Sequence, residues 1–336
     1  MIRVRPWHVL LAIACLAAAG VLAASCGGSS SADSAGFPKV QTLGECKICP
    51  DIRNTGLAVG PNRVIIGLSD ENSRTIENAK VHARFYDRNG DKPLLKGQGD
   101  ATYEPVQLSF VNEDDDNKTE VVGNDGVYIV NTTFSEPGNW GVFLDVTQDG
   151  KTTSVPFIFT VRDKTSEPEI GDPAPPSRQI IAANVSDISQ IDSSYPPRTA
   201  MHQVTIADAL TAGKPIVVAF ATPAFCTSRL CAPIMDTVMD PLSKQFAGQA
   251  TFIHVEPYDL NVLRQTGVEN AMPVTREWGL QSEPWIFVID THGKIAAKFE
   301  GVATAREVGQ ALQRVLPGSA SGTPAAAPTP TSTAAR

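Results

Sequence analysis

Apolar positions in this chain follow two different rhythms. From about residue 38 to 165, short runs alternate apolar and polar side chains: Arg63–Leu68, Lys80–Tyr86, Val106–Val111, Val127–Val130, Trp140–Val146 and Ser154–Val161. A period of two puts one face of an extended strand in a core and the other in water. The breaks are rich in Gly, Asn, Asp and Pro, as in Asp87-Arg88-Asn89-Gly90-Asp91 and Glu136-Pro137-Gly138-Asn139. Six or seven short strands at this spacing predict an antiparallel sandwich.

From about 178 to 317 the rhythm changes to strands alternating with helices. Thr205-Ile206-Ala207-Asp208 opens a short amphipathic helix that Gly213 ends. Pro215–Ala221 (PIVVAFA) is an unbroken apolar run, which fits a central strand covered on both faces. Ile234, Val238, Met239, Leu242 and Phe246 then recur at helical spacing, with Pro233 suited to the first turn and Pro241 expected to kink or split the helix. Further strands are predicted at Thr251–Glu256, Trp285–Asp290 and Ile295–Phe299. Thr304-Ala305-Arg306-Glu307 is a capping box, opening a last helix with Val308, Ala311, Leu312, Val315 and Leu316 on one face.

The ends of the chain have neither rhythm. Arg3 and Arg5 precede an apolar run from Val9 to Ala24, the layout of a secretory signal. Its end, Leu22-Ala23-Ala24-Ser25-Cys26-Gly27, resembles the lipoprotein box of bacteria, in which the cysteine thiol carries lipid. The alternative is an uncleaved anchor helix, since about 18 apolar residues just span a bilayer. Either way the remainder lies outside the cytoplasm. The expected organisation is a signal peptide over 1–25, a lipidated flexible tether over 26–37, an all-β domain over 38–165 and a proline-rich linker over 166–177. An α/β domain follows over 178–317, and then a disordered Pro/Ala/Thr tail over 318–336.

Composition narrows the function by exclusion. The chain has 336 residues, enough for two cores, and 28 basic against 36 acidic residues, which speaks against nucleic acid as a partner. Six cysteines are too few for a disulfide-dense scaffold but enough for one or two redox or metal pairs. Cys15 belongs to the signal and Cys26 to the lipid box. Cys46 and Cys49 could hold zinc only with two further ligands that no second pair supplies, and outside the cytoplasm a local disulfide is the expectation, a redox relay to the other domain the alternative. In the β region, Glu113-Asp114-Asp115-Asp116 and Asp87/Asn89/Asp91 could suggest calcium, but both read better as solvated hairpin tips. His82 reads as a surface or filler residue.

Two resemblances give these patterns names. Gly126–Val146, a Tyr-containing strand followed by EPGNWGVFLDV, resembles the Ig-like modules of bacterial extracytoplasmic proteins, which implies an Ig-like sandwich and no activity. The strand PIVVAFATPAFC running into Cys226, the stretch EWGLQSEPWIFVIDTHGKI with Pro284, and Gly301 together resemble the thioredoxin family. The Gly171–Pro176 segment (GDPAPP) is similar to the leading segment of secreted thioredoxin-like and peroxiredoxin proteins. The resemblance implies a thioredoxin-like α/β fold with Cys226 as nucleophile at a helix N-terminus and Cys231 as resolving thiol. Pro284 would face the pair, and the backbone beside Glu283 would pair with substrate. Substrates would be protein or small-molecule disulfides or dithiols, served by an external electron donor, with no cofactor and with the membrane reached through the lipid.

The spacing departs from the thioredoxin pattern. Four residues, not two, separate Cys226 from Cys231, and in one regular helix the pair would lie ~140° apart around the axis. A helix beginning at Pro233 would free Thr227–Ala232 to form a turn that closes the disulfide. With Thr222-Pro223 and Thr227, the same spacing resembles the Q-type peroxiredoxins, in which Cys226 would be peroxidatic. Two readings remain beside exchange and peroxidase: a copper chaperone of the Sco type using His254, and a redox-inert binding domain. Arg229, between the cysteines, could favour a thiolate.

Overall fold

The computed structural model describes residues 37, 46–115 and 118–318. The signal, Cys15, the lipid-box Cys26 and positions 319–336 of the tail lie outside the described residues. No helix among those described is long and apolar enough to cross a membrane.

Eight strands build the first half: β1 (Ile48–Ile52), β2 (Leu57–Ala58), β3 (Gly60–Asp70), β4 (Lys80–Asp87), β5 (Leu94–Asn112), β6 (Lys118–Phe134), β7 (Gly138–Gln148) and β8 (Lys151–Arg162). Their order is β1-β3-β6-β5-β4-β7-β8-β2, antiparallel except for β2 on β8. Strand β5 changes partner along its length, pairing with β4 up to Ala101 and with β6 from Thr102. The ladder thus turns on itself, and Val64, Ile66 and Leu68 of β3 share one core with Phe85 of β4 and with Trp140 and Leu144 of β7. Two polar groups in this core are satisfied internally. The Tyr128 hydroxyl donates to Ile76 O at 2.7 Å and accepts from Ala79 N, and the Trp140 indole donates to Glu136 O.

The alternating runs of the sequence all fall within these strands, but two extents differ. β5 and β6 are 19 and 17 residues long, far beyond Val106–Val111 and Val127–Val130. Alternation reports only strand with one buried face. The extensions are held by the ladder itself, and they leave Leu94, Leu95, Val121 and Val122 exposed. β1 and β2 leave no alternating signal, since β2 has two residues and β1 only one that is buried.

The second half carries β9 (Ile216–Phe220), β10 (Thr251–Val255), β11 (Trp285–Ile289) and β12 (Ile295–Glu300) in the order β10-β9-β11-β12. β9 is central, parallel to β10 and antiparallel to β11, and every one of its residues is fully buried. Helices cover both faces: α1 (Ile206–Thr211), α2 (Cys231–Ile234), α3 (Asp240–Gln245), α4 (Leu260–Thr266), α5 (Pro273–Glu277) and α6 (Ala305–Val315). A π turn, Met235–Met239, joins α2 to α3. Pro241 explains it: without an N–H and with a ring crowding the preceding turn, proline forces the ladder to widen. α6 begins at the Thr304–Glu307 capping box, with both reciprocal bonds present.

The two halves touch through a built interface. Ile65, Val106, Val127 and Ile129 pack against Val302 and Leu230. Arg63 makes a bidentate pair with Glu307 (2.9 and 3.2 Å), and Glu300 accepts the Thr55 N–H. The expected linker, 166–177, is also docked: Gly171 N donates to Ile295 O and Ala174 N to Gly293 O, while Lys298 pairs with Glu167 and Glu169. A proline-rich stretch lacks helical and central-strand capacity, yet its remaining N–H groups still pair with an exposed sheet edge.

Candidate functional site

β9 delivers the chain to Thr222, whose carbonyl accepts the N–H groups of Phe225 and Cys226 and so closes a tight turn. Arg229 N donates to Cys226 O, and Arg229 itself takes the left-handed conformation at φ 59°. That reversal brings Cys231 back beside Cys226, with Cα atoms 5.9 Å apart and the two sulfurs joined, a separation that suits a disulfide. The helix starts at Cys231, two residues before Pro233, so the expected start at Pro233 is corrected. Cys231, and not Cys226, holds the helix N-terminal position. Continuous helical turns run from there to Gln245, and their free N–H groups favour negative charge at the first residue.

Glu283 and Pro284 arrive from the loop before β11, and their peptide bond is cis. The Glu283 carboxyl and the two Sγ atoms lie within 4.8 Å of one another. Burial pushes this carboxyl up to about 8, against the pull of Thr222, and its Oε2 is buried with no hydrogen-bond partner. Ser228 Oγ lies 3.2 Å from Cys226 Sγ and donates to Glu283 O. The backbone carbonyl that the resemblance reserves for substrate therefore has a partner from within the chain.

Both cysteines are fully buried. The cover comes from β5. Ser109 N donates to Arg229 O and Val111 N to Pro223 O, both at 3.1 Å, so one strand of the β half spans the cysteine loop. The Arg229 guanidinium lies over the Phe110 ring at 4.2 Å, a cation–π contact rather than a free charge beside the thiols. Glu113 lies in the β5–β6 turn, as expected of a hairpin tip, but its carboxylate forms a bidentate pair with Arg264. Beside this clamp a cavity of about 360 Å³ opens between the halves, lined by Ser228, Leu230 and Glu283 on one side and by Ile65, Val106 and Leu108 on the other.

His254 does not join the cysteines. Among the described residues two clusters come together: Cys226, Cys231 and Glu283 form one, and Asp192, His202 and His254 the other. The Cys–Cys–His set of the copper reading is therefore not assembled. Cys46 and Cys49 are joined in a disulfide at the start of β1. His82, on β4, bonds to Asp100 in solvent. The Asn89 side chain ties its turn to Pro137 O and Asn139 N, a structural task.

No family model matches the chain, and a search of the curated proteins returns no match. Among solved structures, it is similar to a thiol:disulfide interchange protein of the thioredoxin family from Chlorobium tepidum TLS. The two are 21% identical over 34% of this chain and 87% of that one, with a TM-score of 0.25.

Sequence reasoning missed the Glu283 side chain, the β5 clamp, and the partners of His254. One signal was present: His254 and Glu256 stand in and beside an apolar strand, and two ionisable groups there need partners. Nothing local announces that the partners are Asp192 and His202.

Proposed function

We propose that this chain is a thiol–disulfide oxidoreductase of thioredoxin-like fold, held outside the cytoplasm by lipid on Cys26, with its β half an Ig-like sandwich that walls the site. The observation that carries the reading is the Cys226–Cys231 pair set beside a buried carboxyl at a helix start.

In the reduced state, Cys226 gives its proton to Glu283 and its thiolate attacks one sulfur of a substrate disulfide. A protein–substrate disulfide forms, and the other substrate sulfur leaves as a thiolate that takes the proton back from Glu283. Cys231, whose thiolate the helix start favours, then attacks Cys226 Sγ, which re-forms the 226–231 bond and expels the second substrate sulfur as a thiolate that takes up a proton. Two electrons pass from the dithiol to the substrate, and an external thiol donor restores the pair. A carboxyl near 8 is matched to a thiol of ordinary pKa, so it exchanges that proton with little penalty in either direction. The cavity lined by Ser228 and Glu283 lies nearest the pair, but neither cysteine lines it, so substrate meets the buried sulfurs only when the β5 cover opens.

The test is turnover of a disulfide substrate by the reduced full-length chain with a thiol donor. Activity that survives Cys226→Ser sinks the mechanism. So does a Cys226–Cys231 potential far below about −300 mV, which marks a structural bond. Stoichiometric consumption of peroxide, without disulfide reductase activity, would instead assign a peroxidase.

A further inference from the structure

We infer that Asp192, His202 and His254 form a binding site for a divalent transition-metal ion of the zinc class, separate from the cysteine pair and independent of its function. The three side chains come from different places: Asp192 from the loop after residue 190, His202 from the 3₁₀ turn Thr199–His202, and His254 from β10. All three are essentially buried, at 1%, 2% and 1% exposure.

Their donor atoms converge. His202 Nε2 lies 3.2 Å from His254 Nδ1 and 3.3 Å from Asp192 Oδ2, and His254 Nδ1 lies 3.5 Å from Asp192 Oδ1. An ion held tetrahedrally at about 2.0–2.1 Å from nitrogen and oxygen keeps adjacent donors roughly 3.3 Å apart. The three separations bracket that value.

Protonation states follow from the outer contacts. His254 Nε2 lies 2.9 Å from the Ala221 carbonyl, which can only accept, so this nitrogen carries the hydrogen. In the neutral ring, Nδ1 is then a lone pair facing His202 and Asp192. The Asp192 carboxylate is itself held by the N–H groups of Ser194 and Arg198, which fixes its direction. Backbone contacts that set a histidine tautomer and brace a carboxylate are the outer shell a metal ligand needs. In the absence of an ion, protons on His202 Nε2 and His254 Nδ1 can each face an Asp192 oxygen, so a metal ion takes the place of these protons at the same lone pairs.

Charge and access agree with this. Glu256 is 7% exposed, its Oε2 has no hydrogen-bond partner, and it lines the same cavity of about 130 Å³ as His202 and His254. A second buried acid so close to Asp192 calls for positive charge nearby. The cavity leaves room for a water or a small ligand in a fourth position. Two imidazoles and one carboxylate suit Zn²⁺ or Co²⁺, with too few oxygens for Ca²⁺ and no thiolate for Cu⁺.

The test uses the full chain, oxidised so that the cysteines are blocked and stripped with chelator, titrated with Zn²⁺ by calorimetry and with Co²⁺ by visible absorption. One equivalent should bind, with Co²⁺ bands of four-coordinate intensity, and the Cys226→Ser/Cys231→Ser protein should bind equally well. His254→Ala and Asp192→Asn should each weaken Zn²⁺ at least 100-fold. If His254→Ala fails to fold, Asp192→Asn carries the result: Zn²⁺ should raise the melting temperature of the natural chain and leave that variant's unmoved. No binding beyond weak surface uptake, or binding that survives Asp192→Asn, overturns the site.

Discussion

Two disulfides in this molecule share burial and short spacing, yet their surroundings differ. Cys49 sits on β1, opposite Ser69 of β3, and its sulfur lies 3.2 Å from Cys46 O and 3.9 Å from Asp70 O. Cys226–Cys231 lies between the central strand and a helix start, within 4.8 Å of the Glu283 carboxyl and next to a cavity. Among the described residues no His, Asp or Glu clusters with the Cys46–Cys49 pair, as suits a structural clip. On the proposed function, the second pair stands by a helix start at Cys231 and a carboxyl matched to a thiol, with both sulfurs covered. On that reading, surroundings more than spacing set the two pairs apart.

The sharpest way to break this comparison is to remove one pair at a time. Cys226→Ser should lower disulfide turnover by at least about 100-fold, roughly 3 kcal/mol of barrier. Cys46→Ser/Cys49→Ser should leave turnover within about twofold. Equal losses from both would erase the distinction.

Next in size, Glu283→Gln should slow exchange by roughly 10–100-fold and remove the inflection near pH 8 from the rate profile. Stability gives a second readout. The folded carboxyl is raised from 4.5 to about 8, so the folded state binds the extra proton. Its contribution is present below pH 4.5 and is lost as pH rises towards 8. Urea unfolding of the natural chain should therefore weaken over that window, and Glu283→Gln should flatten the slope.

A smaller effect is expected where the halves join. Arg63 and Glu307 are mostly buried, at 14% and 21% side-chain exposure, so Arg63→Ala removes the carboxylate's charged partner and leaves it only the Thr304 cap. We expect a loss of about 1–3 kcal/mol in chemical denaturation. Smallest of all, Phe110→Ala should cost about 0.5–1 kcal/mol through the lost cation–π contact. It should also speed chemical reduction of Cys226–Cys231 while leaving Cys46–Cys49 unaffected, measured by thiol alkylation and mass spectrometry. Faster reduction of both would show general loosening rather than release of the clamp.

Much of this architecture was legible in the order of the residues. PIVVAFA reads as a doubly covered strand because no polar position interrupts it, and β9 is buried at every residue. Thr304 and Glu307 announce a helix start because capping is satisfied within four residues. Pro284, which the thioredoxin resemblance singles out, follows a cis peptide bond. Pro233 marks the helix start only to within a few residues, because proline is tolerated throughout the first turn, and the helix starts at Cys231.

What the sequence determined by itself are features whose physics is local: strand alternation, helix caps, turn residues and the pairing of near cysteines. Only the tertiary structure decided what crosses the chain. It laid Ser109 and Val111 over the cysteine loop, brought Glu283 to the sulfurs 52 residues after Cys231, and gathered Asp192, His202 and His254 from three segments. Such contacts leave no periodic trace, because a buried acid or histidine is stabilised by partners that the fold chooses and not by its neighbours in sequence.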